Sequence, residues 1–149
     1  MRHSLRFFAA VTAVAVLAMP VKAQHDAHHG ATGDSAAVVN AFTATQRDYA
    51  RAARDLRMPE SLPEEFVNLI GYSVLRELKR PRVAVWIFQQ NVSAYPDSPN
   101  VYDSLGDALL AAGERRAARA EFQQAIDVAV RLKLPVDSAT RRKLASLGR

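Results

Sequence analysis

The sequence contains no cysteine. That excludes a disulfide framework, thiol catalysis and a cysteine-ligated metal site. Glycine is scarce, at 6 residues. That scarcity, with abundant alanine, suits a helical chain that gains its stability by apolar burial between helices. No stretch alternates apolar and polar residues long enough to read as a strand. The only long apolar run is Phe7 to Met19, preceded by Arg2 and Arg6 and followed by Val21-Lys22-Ala23. A positive start, a short apolar middle and small residues at −3 and −1 are the three parts of a secretory signal peptide. Residues 1–23 are therefore expected to be removed before Gln24. The apolar run, at 1.5 Å rise per residue, covers roughly 20 Å, short of a ~30 Å hydrocarbon core. An integral span is not expected after cleavage, and the product is expected to be periplasmic or extracellular.

Cleavage removes Arg2, Arg6 and Lys22 and no acid, so the net charge falls from +5 to +2. A mature chain with so small a charge gives little reason to expect nucleic acid as a partner. The remaining chain, residues 24–149, suffices for one domain. Residues 24–35 are small and polar and read as a flexible lead. Within it, His25, His28 and His29 with Asp26 form the one cluster with metal-ligating chemistry. A solvated lead is the plainer reading, because no further histidine follows to close a site. No cofactor is expected.

From position 36 onward the periodicity predicts six helices. The first covers 36–58, capped by Asp34 or Ser35, with Val38, Phe42, Tyr49, Ala53 and Leu56 on one face and Pro59 ending it. Ser61-Leu-Pro-Glu64 has the pattern of a capping box and opens the second, which carries Phe66, Leu69, Ile70, Val74 and Leu75. Lys79-Arg80-Pro81 breaks it. The third is apolar on more than one side, through Val83, Ala84, Trp86, Ile87, Phe88 and Val92. Ser98-Pro99 opens the fourth, and Gly113 stops it. The fifth runs to about Leu132 with Ala117, Ala118, Phe122, Ala125, Ile126 and Val130 as its apolar face. A capping helix lies in 136–149, with Asp137 as its cap.

Residues of matched size recur along this stretch. Ala84 lies 34 residues before Ala118, Phe88 lies 34 before Phe122, and Gly71 lies 35 before Gly106. Two antiparallel helices approach closely only where small residues sit at the crossing. Gly71 against Ala84 and Gly106 against Ala118 are expected to supply that room. A helical period of this length marks a repeat array, whose single units cannot bury their apolar faces alone.

Tyr102, Leu105, Gly106, Leu109, Ala118, Phe122 and Ala125 resemble, in order, the large and small positions of the tetratricopeptide repeat (TPR). Phe66, Ile70, Gly71, Ala84, Phe88 and Pro96 match it upstream, with one residue inserted near Lys79–Pro81 and no turn glycine there. The resemblance implies an all-α, short TPR-type helical-hairpin solenoid. Two repeats would span 61–134, at about 66–99 and 100–133, between flanking helices. A narrower resemblance rests on Leu69-Ile-Gly-Tyr72, Asn91-Val, Tyr95-Pro-Asp-Ser98 and Asn100-Val-Tyr-Asp-Ser-Leu-Gly106. These are similar to the repeat tail of secreted beta-lactamase-related and alpha/beta-hydrolase serine hydrolases. Neither a G-x-S-x-G elbow nor an S-x-x-K motif occurs in the chain. What that resemblance implies is a tail module without the enzyme.

Such repeats bind partners on the concave face lined by the first helix of each pair. By the repeat pattern that face carries Asn68, Tyr72 and Arg76, then Asn100, Asp103 and Asp107. Asp103 and Asp107, expected to be open to solvent, would repel an acidic peptide end and favour a basic or neutral one. The basic residues Arg131, Lys133, Arg141, Arg142, Lys143 and Arg149 read as the solvated outer face of the end of the chain. No aromatic residue interleaves with them, which with export argues against nucleic acid. The expected function is non-catalytic protein or peptide binding. The alternative is an accessory or orphaned hydrolase tail that docks on a separate enzyme or on a second copy of itself. Two repeats fall short of the three or so usually needed for stability, and homodimerisation would make up the difference.

Overall fold

The computed structural model describes residues 33–148. Among them are six α-helices and no strand. The predicted signal peptide and the histidine cluster lie outside the described residues.

Helix α1, Gly33–Asp55, begins inside the stretch read as a flexible lead. Asp34 and Ser35, read as candidate caps, belong to its first turn. Thr43 and Thr45 donate their hydroxyls to the carbonyls of Val39 and Ala41, four residues back, both at 2.9 Å. Phe42 and Ala53 are buried as expected, whereas Leu56 is exposed. The helix ends before Pro59 is reached. Arg57 takes φ 55°, and the Met58 amide donates to the Ala53 carbonyl at 2.8 Å, a left-handed closure of the last turn.

From Ser61 onward the chain forms two helix hairpins and a terminal helix. Helices α2 (Glu64–Arg76) and α3 (Pro81–Ala94) make the first hairpin. Helices α4 (Pro99–Ala111) and α5 (Arg115–Arg131) make the second, and α6 (Ser138–Leu147) follows. α2 packs on α3 and touches α4, α3 packs on α4, α4 on α5, and α5 on α6. This is an all-α helical-hairpin repeat. Helix α3 buries Val83, Ala84, Ile87 and Phe88 because neighbours lie on both sides of it.

The hairpins close where glycine meets phenylalanine. A Cβ placed on Gly71 would stand 2.5 Å from the Phe88 ring, and one on Gly106 would stand 2.5 Å from the Phe122 ring. The alanines expected at these crossings, Ala84 and Ala118, are fully buried, but the glycines face the rings. The reason is directional: a helical side chain leans toward the start of its own helix, so each phenylalanine reaches back over the turn holding its alanine. Both rings are fully buried.

The inserted residue can be placed. In the second hairpin the Glu114 amide closes on the Leu109 carbonyl, with Gly113 at φ 84°. In the first, the Arg80 amide closes on the Val74 carbonyl, a loop longer by one residue, with Lys79 at φ 54°. The extra residue thus sits in the last turn of α2 before Lys79, and Lys79 does the work of Gly113. Capping differs from expectation too. Helix α2 starts at Glu64 after Pro63, so the Ser61–Glu64 box is not formed, and Ser98 makes no capping bond. Asp137 does cap α6, accepting from the Ala139 amide at 3.0 Å. Leu69 and Val130, read as core, are exposed, and Val67, Val128 and Ala129 are buried in their place.

Two stability effects follow. Alanine gains about 1 kcal/mol over glycine in a helix interior, but overpacking a rigid core costs about 1–3 kcal/mol. Gly106→Ala is therefore expected to be net destabilising in chemical denaturation; a stabilised variant would contradict the glycine–phenylalanine contact. At Lys79 the left-handed backbone costs an L-residue roughly 1–2 kcal/mol, and glycine's added chain entropy returns about half of that. Lys79→Gly should raise stability by about 0.5–1 kcal/mol, read as a higher denaturant midpoint at unchanged slope.

Candidate functional site

The first helices of the two hairpins, α2 and α4, are knitted together by polar side chains. Near their starts Asn100 donates its side-chain amide to Glu64 Oε1 at 2.8 Å. Two residues past the middle of α2, the Tyr72 hydroxyl donates to Asp107 Oδ2 at 2.9 Å and lies 3.4 Å from the buried Ser104 hydroxyl. The Arg76 guanidinium stacks over the Tyr72 ring, 4.4 Å from its centroid. Asn68 is half-buried on the same helix, and its Oδ1 accepts no hydrogen bond. All six residues expected on the shared face are thus on α2 and α4, but most are occupied within the chain.

The two aspartates depart furthest from expectation. Asp103 and Asp107, four residues apart, present their carboxylates on one side of α4. Helix α6 lies against them. Lys143 Nζ stands 2.7 Å from Asp103 Oδ2 and 2.8 Å from Asp107 Oδ1. The Thr140 hydroxyl donates to the remaining Asp103 oxygen at 2.7 Å. The two carboxylate side chains keep 17% and 23% of their exposure, and Lys143 keeps 28%. The pair is therefore neither open nor free to repel a ligand, and Lys143 is not on a solvated outer face. Lys143 also lies 5.3 Å above the Phe122 ring, which ties this polar cluster to the second glycine–phenylalanine contact. Thr140 is 3% exposed and is the one buried residue of α6.

Thr140 and Lys143 are the residues that sequence reasoning missed. A signal was present. Thr140 and Lys143 are three apart on one helix face, complementary to an Asp-x-x-x-Asp pair on another. It was obscured because Lys143 follows Arg141 and Arg142, both exposed, and a basic run reads as solvated.

The ends of the two hairpins are filled differently. In the first, buried Asn91 donates to the Glu64 carbonyl at 3.2 Å and Tyr95 donates to the Leu62 carbonyl at 2.7 Å. The positions 34 further on are Ala125 and Ala129. They tie nothing, and they line a mainly apolar cavity of about 380 Å³ whose wall includes Leu134, Val136 and Asp103. A second cleft of about 470 Å³ lies between α3 and α5, beside Gln89, Tyr102 and Glu121. Burial raises the Glu121 carboxyl above its ordinary value. Among the described residues no group of three or more His, Asp or Glu side chains is placed to hold a metal, and no helix is long and apolar enough to cross a membrane.

Electrostatics bind the cluster to pH. Burial acts to lower the Lys143 ammonium, but the hydrogen bonds and charges of Asp103 and Asp107 outweigh it, and its pKa is raised. Burial raises the Tyr72 phenol; the Ser104 hydrogen bond opposes this, and Asp107 adds to it. In both cases the folded state favours the protonated form. Their contribution to stability is complete below the unfolded values of about 10 and is lost as pH rises through the raised ones. Unfolding midpoints should therefore fall above about pH 10, and less steeply in Lys143→Met than in the wild type. Equal slopes would contradict the coupling of Lys143 to the two carboxylates.

In comparisons with protein-family models, with curated proteins and with solved structures, no match to this chain was found.

Proposed function

We propose that this chain is a non-catalytic, TPR-type binding protein, exported by its N-terminal leader to the periplasm or the cell exterior. It takes a protein or peptide on the face that α2 and α4 present together and needs no cofactor. The observation that carries the reading is the spatial union of Tyr72, Asp103 and Asp107 across two equivalent helices. Contiguous polar side chains on the first helices of stacked hairpins are what an extended or helical segment requires for several simultaneous hydrogen bonds. Beside them Arg76, exposed on the same helix, offers a planar cation fixed by stacking. Nucleic acid is not the proposed partner.

A second reading has its own support. Val130, Leu132 and Leu134 are 64%, 39% and 47% exposed around the end of α5. Exposed apolar side chains suit an accessory or orphaned hydrolase tail that docks on a separate enzyme or on a second copy.

One experiment separates the two. The mature chain is used as bait in extracts of the secretory compartment, as wild type, Tyr72→Ala and Val130→Asp. Loss of the captured protein with Tyr72→Ala and retention with Val130→Asp is expected. The reverse pattern would favour docking through α5. Equal capture by all three would remove the α2–α4 face from consideration.

A further inference from the structure

We propose that Tyr72, Asp103 and Asp107 form a receptor for a basic helix of a partner protein, and that α6 occupies it in the free chain as an internal ligand. The inference rests on the proposed binding function and specifies both the chemistry of the partner and the state of the site before it arrives.

The occupant already present defines that chemistry. A single turn of α6 satisfies the aspartate pair: Lys143 spans both carboxylates, and Thr140 takes the oxygen of Asp103 that Lys143 leaves. A hydroxyl and a lysine three residues apart on a helix are therefore the recognised pattern. The flanking Arg141 and Arg142 are exposed. Two carboxylates facing one ammonium leave a formal negative charge at the site. Arg76 does not cancel it by direct pairing, because its guanidinium stacks on Tyr72. A partner helix carrying a second cation on the same face would gain what α6 does not supply.

The hold on α6 is correspondingly light. It is 10 residues long and buries one residue, Thr140. A helix this short is marginal in water without tertiary support. The segment joining it to α5 holds Lys133 at φ 57° and Pro135, with Leu132 and Leu134 exposed. Helices α2 to α5 bury Phe88, Phe122, Ile87, Val101 and Val128 without any side chain from α6 among the largest buried groups. The proposal requires this core to persist with α6 displaced.

The test uses a fluorescent peptide of residues 137–149 as a stand-in for the partner helix. It is titrated with the full chain as wild type, Lys143→Ala and Asp103→Asn/Asp107→Asn. An internal competitor lowers apparent affinity by the fraction of open sites. Binding should tighten by about tenfold or more in Lys143→Ala. It should be lost in the double carboxamide variant, and also when the peptide carries alanine at its lysine. Equal affinity for wild type and Lys143→Ala, retained binding to the carboxamide variant, or no binding anywhere would each overturn the proposal. So would loss of helical circular dichroism throughout the chain in Lys143→Ala, since α6 would then belong to the core. A wild-type dimer that dissociates on Lys143→Ala would assign the site to α6 of a second copy and overturn the foreign-helix assignment. If the peptide fails while partner capture still depends on Tyr72, the binding function stands and only the internal-ligand inference falls.

Discussion

The repeat part of this protein depends on one steric constraint: a glycine on the first helix of each hairpin must lie flat against a phenylalanine ring on the second. Gly71 and Phe88, and Gly106 and Phe122, leave no room for even a methyl group between them. That closeness lets Ala84, Ala118 and the rings themselves be completely buried in a chain with no cysteine to staple it. Because close-packed interiors do not yield, the contact also fixes the length of the connection. The first hairpin keeps its contact despite an extra residue by widening the closing loop from Leu109–Glu114 size to Val74–Arg80 size. Lys79 accepts a backbone that glycine would take more easily.

The same packing decides where polar groups can go. With α2 beside α4, Tyr72 and Asp107 face each other, and a half-buried carboxylate pair needs a cation close at hand. Lys143 supplies it from α6 while resting over the Phe122 ring. The polar cluster and the second glycine–phenylalanine contact are thus two sides of one arrangement. A partner helix could take the place of α6 only by meeting the same demand.

Much of this was legible in the residues. The spacing of Gly71, Ala84 and Phe88 against Gly106, Ala118 and Phe122 announced two hairpins, and Pro81, Pro99, Gly113 and Asp137 marked their boundaries. The partner of each glycine was misread, because residue size in sequence does not tell which way a helical side chain leans. The capping box at Ser61 failed because Pro63 already provides an extended entry into α2. Leu69 and Val130 were counted as core because periodicity marks a broad stripe, whereas neighbours cover only part of it. The pairing of Asp103 and Asp107 with Lys143 spans 36 to 40 residues and becomes visible only when α6 is laid against α4.

The central claim is that two glycine–phenylalanine hairpins form one cooperative core, on which α6 is a lightly held polar clasp. Residue-resolved hydrogen exchange under native conditions tests it most directly. The account predicts that amides around Ile87, Phe88 and Phe122 exchange only through global unfolding, both hairpins together. Those of α6 should exchange through a smaller opening of much lower free energy. Exchange of α6 at the global free energy, or of the two hairpins at separate ones, would contradict it.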